Sequence, residues 1–149
     1  MIAAGKTSPY SHDQYTHSMP CITVSASGAY AGYIWYHDYP IWASDCNVIY
    51  SVEHSTEYLY FALKSKQSRV YTFQSGGGQP HVYARDLKNI VIPLPSLSEQ
   101  KRIVGILNTA RREIDLLKTL ADQYSTQKRG LMQKLLSGEW HIKNRESVA

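Results

Sequence analysis

The chain has 149 residues, 43% of them hydrophobic, with twelve tyrosines and three tryptophans. That is enough to bury one ordinary core and too aromatic for disorder along its length. The formal charge of +4 is unevenly spread: residues 1–98 carry six Lys/Arg against six Asp/Glu, and residues 99–149 carry ten against six. The front is therefore a neutral aromatic body and the back a basic arm. The sequence has neither a leader with a basic start and an apolar middle nor a run of eighteen apolar residues, so neither secretion nor a membrane span is expected. The expected location is cytoplasmic.

The first twenty residues are polar and turn-rich, and irregular structure is expected there. Residues 21–50 read CITVSASGAYAGYIWYHDYPIWASDCNVIY. Short β-branched and aromatic runs alternate with Gly, Pro, Ser and Asp, which predicts strands over ITVSA, YAGYIWYH and CNVIYSV. Close connections make the sheet mainly antiparallel and curled. Within STEYLYFALKSKQSRVYTF the period changes: Tyr58, Phe61 and Ala62 recur at helical spacing, which predicts a short helix. In HVYARDLKNIVIPLP the inward residues are Val82, Leu87, Ile90 and Ile92, with a short helix or turn over ARDLKN. A strand is expected over IVIPL, ended by Pro93 and Pro95.

The last third has another character. Ser96 and Glu99 have the spacing of a capping box. Beyond them a heptad seam runs through Ile103, Leu107, Ala110, Ile114, Leu117, Ala121, Tyr124, Leu131 and Leu135, with Lys128 in one slot. Gly138 is a natural stop. A helix over about 98–136 would be about 58 Å long. Such a stripe calls for a second helix, from another chain or from a missing repeat; folding back onto its own body is the other reading. The fold class is thus α+β, a small curled sheet with short helices followed by one long heptad-patterned helix.

Motifs for chemistry are scarce. The glycines of SGGGQPHVY at 75–83 invite a phosphate loop, but Pro80 has no N–H and no lysine follows until Lys88. The dinucleotide pattern fails for want of its third glycine. None of the six histidines forms a metal motif, and no serine elbow or methyltransferase Pro-Pro motif occurs. Cys21 and Cys46 read as plain thiols. No catalytic residue, metal or cofactor is expected. The aromatic cluster Tyr33, Trp35, Tyr36, Tyr39 and Trp42 is expected mostly in the core. Basic and amide side chains gather at Lys64, Lys66, Arg69, Gln74, Gln79, His81, Arg85 and Lys88. Such groups bond guanine or adenine edges and hold phosphates, so these eight are the candidate DNA contacts, against the alternative of a solvated surface. Gly76–Gly78 is either a plain turn or a loop presenting Gln79 and His81 to DNA or to the end of the long helix.

Taken together, these segments resemble the specificity subunit of type I restriction-modification systems. DLKNIVIPLPSLSEQKRIVGILNTARREIDLL is similar to that family's I-x-I-P-x-P-x-x-x-E-Q segment leading into a spacer helix. GYIWYHDYPIWASDCNVIY resembles its W-A/V-S/T-D stretch, SGGGQPHVYARDLKN its Gly-x-x-Gln loop with Gln79 as the glutamine, and QKRGLMQKLLSGEW its usual helix end. The resemblance implies a non-catalytic protein that reads double-stranded DNA through the major groove. It also implies docking to DNA methyltransferase (modification) subunits and a restriction motor subunit. Residues 1–95 would be part of one target recognition domain, 96–137 one spacer helix and 138–149 a flexible basic tail. Such subunits usually hold two recognition domains and two antiparallel spacer helices. With one of each here, an antiparallel homodimer is the expected substitute, and a half-length subunit or the remnant of a disrupted gene the expected origin. The rival reading is a truncated interaction module that dimerises through its helix without binding DNA, in keeping with the neutral front.

Overall fold

The computed structural model describes residues 13–142. Packing divides the chain into two compact units, Met1–Gly105 and Ile106–Ala149.

The first unit is built on a three-stranded antiparallel sheet, β1 (Cys21–Ser25), β2 (Ile34–His37) and β3 (Cys46–Ile49), in the order β2-β1-β3. All five residues of β1 are buried, as a central strand covered on both faces requires. Cys21 opposes His37 across β2, and Ile22 opposes Ile49 across β3. Side chains alternate along the strand. Ile22 and Val24 enter the main core with Ile34, Tyr58, Leu59, Leu63, Val70, Val82 and Val104. On the alternate positions, Cys21 packs with Ile41 against Ala43 and Val48, and Thr23 bonds His37. The glycine in the second predicted strand shortens it. Gly32 has φ +84°, and a Cβ there would sit 3.1 Å from Val70 Cγ1. The turn it makes leaves β2 only four residues. The predicted aromatic cluster is half-buried at Tyr33, Trp35, Tyr36 and Trp42, with Tyr39 exposed.

The helical stretch after β3 is two helices rather than one, α1 (Thr56–Lys64) and α2 (Gln67–Tyr71). Ser55 caps α1, its Oγ accepting from Tyr58 N–H at 3.2 Å. A four-residue helix, α3 (Ala84–Leu87), falls inside ARDLKN. IVIPL is not a strand: residues 90–96 carry no regular structure. Two prolines remove the donors a ladder needs, and the segment is held by side chains instead. Ile90 and Ile92 pack on the core, and Tyr58 Oη donates to Pro93 O at 2.9 Å.

The long helix, α4, runs Leu97–Leu136. Ser96 Oγ accepts from Glu99 N–H at 3.3 Å, the hydroxyl half of the expected capping box. The first turns of α4 belong to the first unit. There Gln100 is fully buried, Val104 enters the core and Ile103 packs against it. Gln100 Oε1 accepts from Ser55 N–H at 3.0 Å, and its Nε2 donates to Pro95 O at 2.8 Å and meets His54 Nδ1 at 3.3 Å.

In the second unit the seam residues from Leu107 onward lie on an uncovered helix. Leu107, Ile114, Leu117, Tyr124, Leu131 and Leu135 are all exposed, and Ile106, Leu120 and Met132 widen the apolar stripe. Gly138, at φ +77°, ends the helix, with Trp140 N–H returning to Lys134 O at 3.0 Å. Lys134 Nζ lies 3.2 Å from Glu139 and over the Trp140 ring. The remainder of the expected basic tail, residues 143–149, lies outside the described residues, as do residues 1–12 of the expected irregular start.

Two predictions follow from this packing. Gln100→Ala strands the Ser55 N–H and the Pro95 carbonyl in a dry site, and should cost about 2–4 kcal/mol in urea unfolding; Gln100→Glu should not restore it. His37 is fully buried, and burial lowers its pKa to about 4. Protonation therefore favours the unfolded chain, whose histidine titrates near 6.5. The stability from the neutral ring is complete above about pH 6.5 and is lost as pH falls toward 4, by about 3 kcal/mol in all. Urea midpoints at pH 7 and 4.5 should diverge in the parent chain and diverge less in His37→Gln.

Candidate nucleic-acid interface

The glycine loop is anchored at its base. Ser75 and His81 exchange backbone hydrogen bonds of 3.0 and 2.8 Å, closing Gly76–Pro80 into a hairpin tip. Gly76 has φ +111°, and a Cβ there would lie 2.7 Å from Gln79 O, so only glycine fits. Gly28 N–H donates to Pro80 O, Val82 N–H to Ala26 O, and Asn47 Nδ2 to Val82 O, tying the loop to the end of β1 and to β3.

A polar chain reinforces that attachment. Gln79 Nε2 donates to Ser27 Oγ at 3.3 Å, and Ser27 Oγ donates in turn to Asp45 Oδ2. Ser27 is buried. Asp45 adopts φ +52°, a left-handed conformation that aspartate tolerates better than most residues, and its carbonyl accepts from Ala26 N–H. The glutamine expected to read DNA is thus engaged in holding the loop, with its side chain tied to Ser27.

Leaving the loop, the backbone is extended and side chains alternate. The His81 and Tyr83 rings stack at 6.1 Å with 14° between their planes, and the Arg85 guanidinium lies 4.8 Å over the Tyr83 ring. Arg85 remains largely exposed, its nearest carboxylate Asp86 at 3.9 Å. Lys88, one turn on, is exposed. Flat rings and a solvent-facing guanidinium together offer stacking and charge-assisted hydrogen bonds.

The eight candidate contacts divide into two groups. Lys64 is half-buried: its Nζ donates to Ile34 O at 2.9 Å and to Gln67 Oε1 at 3.0 Å, and lies 4.0 Å over the Tyr33 ring. Gln74 Nε2 donates to Ala31 O at 2.7 Å. These two, with Gln79, support the fold around the turn at 28–34. Lys66, at the cap of α2, and Arg69, within it, are exposed, with Arg69 lying over Phe73. His81, Arg85 and Lys88 flank the loop. Sequence reasoning missed Ser27, Asp45 and Tyr83. The last was legible as the middle of a His-Tyr-Arg alternation at every second residue. The Ser27–Asp45 bond joins residues eighteen apart, and no local pattern announces it.

Among the described residues no group of three or more His, Cys, Asp or Glu could hold a metal ion. Burial raises the Cys21 thiol and pushes Cys46 up to about 11, so both stay protonated. No described helix is long and apolar enough to cross a membrane.

A family model described as "Type I restriction modification DNA specificity domain" matches residues 4–123. The chain is 38% identical over 80 residues, 54% of its length, to the type I restriction enzyme MjaVIII specificity subunit of Methanocaldococcus jannaschii. Its fold is similar to that of the type I restriction-modification system S subunit from M. genitalium, with a TM-score of 0.70 and 23% identity over 91% of this chain. The matched part is 19% of the curated relative and 37% of the solved chain, so the chain spans well under half of either.

Proposed function

We propose, from the premise that the chain belongs to the family of type I restriction modification DNA specificity domains, that it is a DNA-recognition module of such a system. It carries no chemistry of its own. Modification subunits with methyltransferase activity and a restriction motor subunit supply that, in the cytoplasm. The observation that carries this reading is the anchored glycine loop beside the stack of half-buried His81 with exposed Tyr83 and Arg85. An anchored loop flanked by rings and a largely exposed guanidinium suits entry into a DNA groove. The neutral total charge of residues 1–98 conceals a local excess, since residues 56–90 carry five Lys/Arg and two Asp/Glu. Lys66, Arg69, His81, Arg85 and Lys88 are the contacts in this reading, while Lys64, Gln74 and Gln79 position them.

The second unit serves as a spacer that pairs with another helix. Large exposed side chains along Leu107–Leu135 each gain about 1.5–3 kcal/mol on burial, enough together to exceed an association cost of about 4–15 kcal/mol. Lys128 in the seam argues against parallel pairing, where it would meet its own copy. In an antiparallel homodimer it lies near the opposite end of the partner helix and runs its stem along apolar surface. Ile103 is left out, because it packs on the core of the first unit. Two such modules would read inverted half-sites at a fixed separation.

Arg85→Ala should weaken binding to a mixed-sequence duplex, measured by fluorescence anisotropy, and reduce the log–log salt slope by about 1. Failure of the parent chain to bind any duplex from a randomised pool at low salt would overturn DNA recognition by this chain alone. For the helix, sedimentation equilibrium at micromolar concentration should give twice the chain mass, falling to one chain mass for Leu117→Glu. A parent monomer refutes the pairing.

A further inference from the structure

Three glycines stand in a row, and the fold requires only one of them. Gly76 needs its left-handed backbone and its missing Cβ. Gly77 and Gly78 need neither: their φ values are negative, and a Cβ on either would meet nothing within 4 Å. Glycine where alanine would fit destabilises a fold by about 0.4–1 kcal/mol through the freedom of the unfolded chain. The positions are thus open to a side chain on the protein's own account. Their amides are open too, for among the described residues neither N–H has an intramolecular hydrogen-bond partner. The loop around them is nevertheless fixed, by the Ser75–His81 pair, by Gly28 N–H on Pro80 O and by the Gln79–Ser27–Asp45 chain.

A rigid tip with two adjacent free amides and no side chains is suited to close approach by an anion. Successive backbone N–H groups form anion-binding concavities, and such contacts position a protein on DNA without reading sequence. We propose that the Gly77 and Gly78 amides form a phosphate-contact site for the DNA backbone, with the Gln79–Ser27–Asp45 chain as its positioning device. This rests on the DNA-recognition reading above and adds to it the atoms and the kind of contact. Base reading is then left to the side chains beyond the loop.

The test uses the full chain and a panel of mixed-sequence duplexes. Gly77→Ala and Gly78→Ala should keep or slightly raise the melting temperature and weaken duplex binding about tenfold, by the same factor on every duplex. In the parent, the amide NMR signals of Gly77 and Gly78 should shift on adding duplex. If the parent binds DNA while these signals stay still and both variants bind as it does, the inference fails and DNA recognition stands. A loss that differs from duplex to duplex makes the contact a base contact and overturns the phosphate assignment. A large fall in melting temperature makes the glycines a requirement of the fold and also overturns it. If the parent binds no duplex, the inference and the recognition reading fall together.

Discussion

The first unit depends on one buried amide. Gln100 is inaccessible to solvent, and both ends of its side chain are used. Its carbonyl oxygen holds the backbone of Ser55, the residue that caps α1, and its nitrogen holds the carbonyl of Pro95, the last residue before the cap of α4. One side chain therefore locks the start of a core helix, the end of a strand-free linker and the first turn of the long helix. Without it the Ser55 N–H and the Pro95 carbonyl would be left unpaired in a dry interior, each at a cost of about 1–3 kcal/mol. The family segment I-x-I-P-x-P-x-x-x-E-Q acquires a physical reading from this contact. Ile90 and Ile92 reach the core, the carbonyls of Pro93 and Pro95 accept hydrogen bonds from Tyr58 Oη and Gln100 Nε2, and the prolines keep the linker out of the sheet.

Much of the architecture was legible in the sequence because it obeys periodicity. Three strands were readable from alternation and turn residues, and the seam of α4 from its 3–4 spacing. The central position of β1 and the burial of both its faces were not readable, since a five-residue run looks the same at an edge. The expected strand over IVIPL had β-branched residues in its favour. What overruled propensity was the lack of backbone donors at 93 and 95. The division of one helix into α1 and α2 turns on Lys66, whose backbone leaves the helical region at φ −100°, ψ 13°. Nothing in its side chain signals that.

The candidate site was less legible, for a reason that Lys64 and Gln74 exemplify. Cations and amides cluster wherever a backbone turn must be held as well as wherever DNA is held. Around the turn at 28–34, Lys64, Gln67 and Gln74 bond the carbonyls of Ile34, Gly32 and Ala31. From sequence such residues cannot be told from their neighbours Lys66 and Arg69, which face solvent. The distinction lies in long-range hydrogen bonds, with partners 30 to 43 residues away, where no periodic pattern reaches.

The distribution of charge bears on how residues 1–98, whose charges sum to zero, would engage a polyanion in the proposed function. With Lys64 committed to the fold, few basic side chains remain to neutralise phosphates, and an interface built only from ion pairs would be weak. Backbone amides offer another route, because their dipoles attract a phosphate without adding net charge or releasing as many counterions as lysine does. They demand rigidity in exchange, since a mobile loop would pay in conformational entropy for each contact. That requirement is met by elements which otherwise look excessive for a surface turn: a hairpin closure, a Pro80 carbonyl bound to Gly28, and a glutamine fixed through Ser27 to Asp45. In the proposed phosphate contact, the polar chain beneath the loop and the bare glycines at its tip would be two parts of one device, stiffness below and access above.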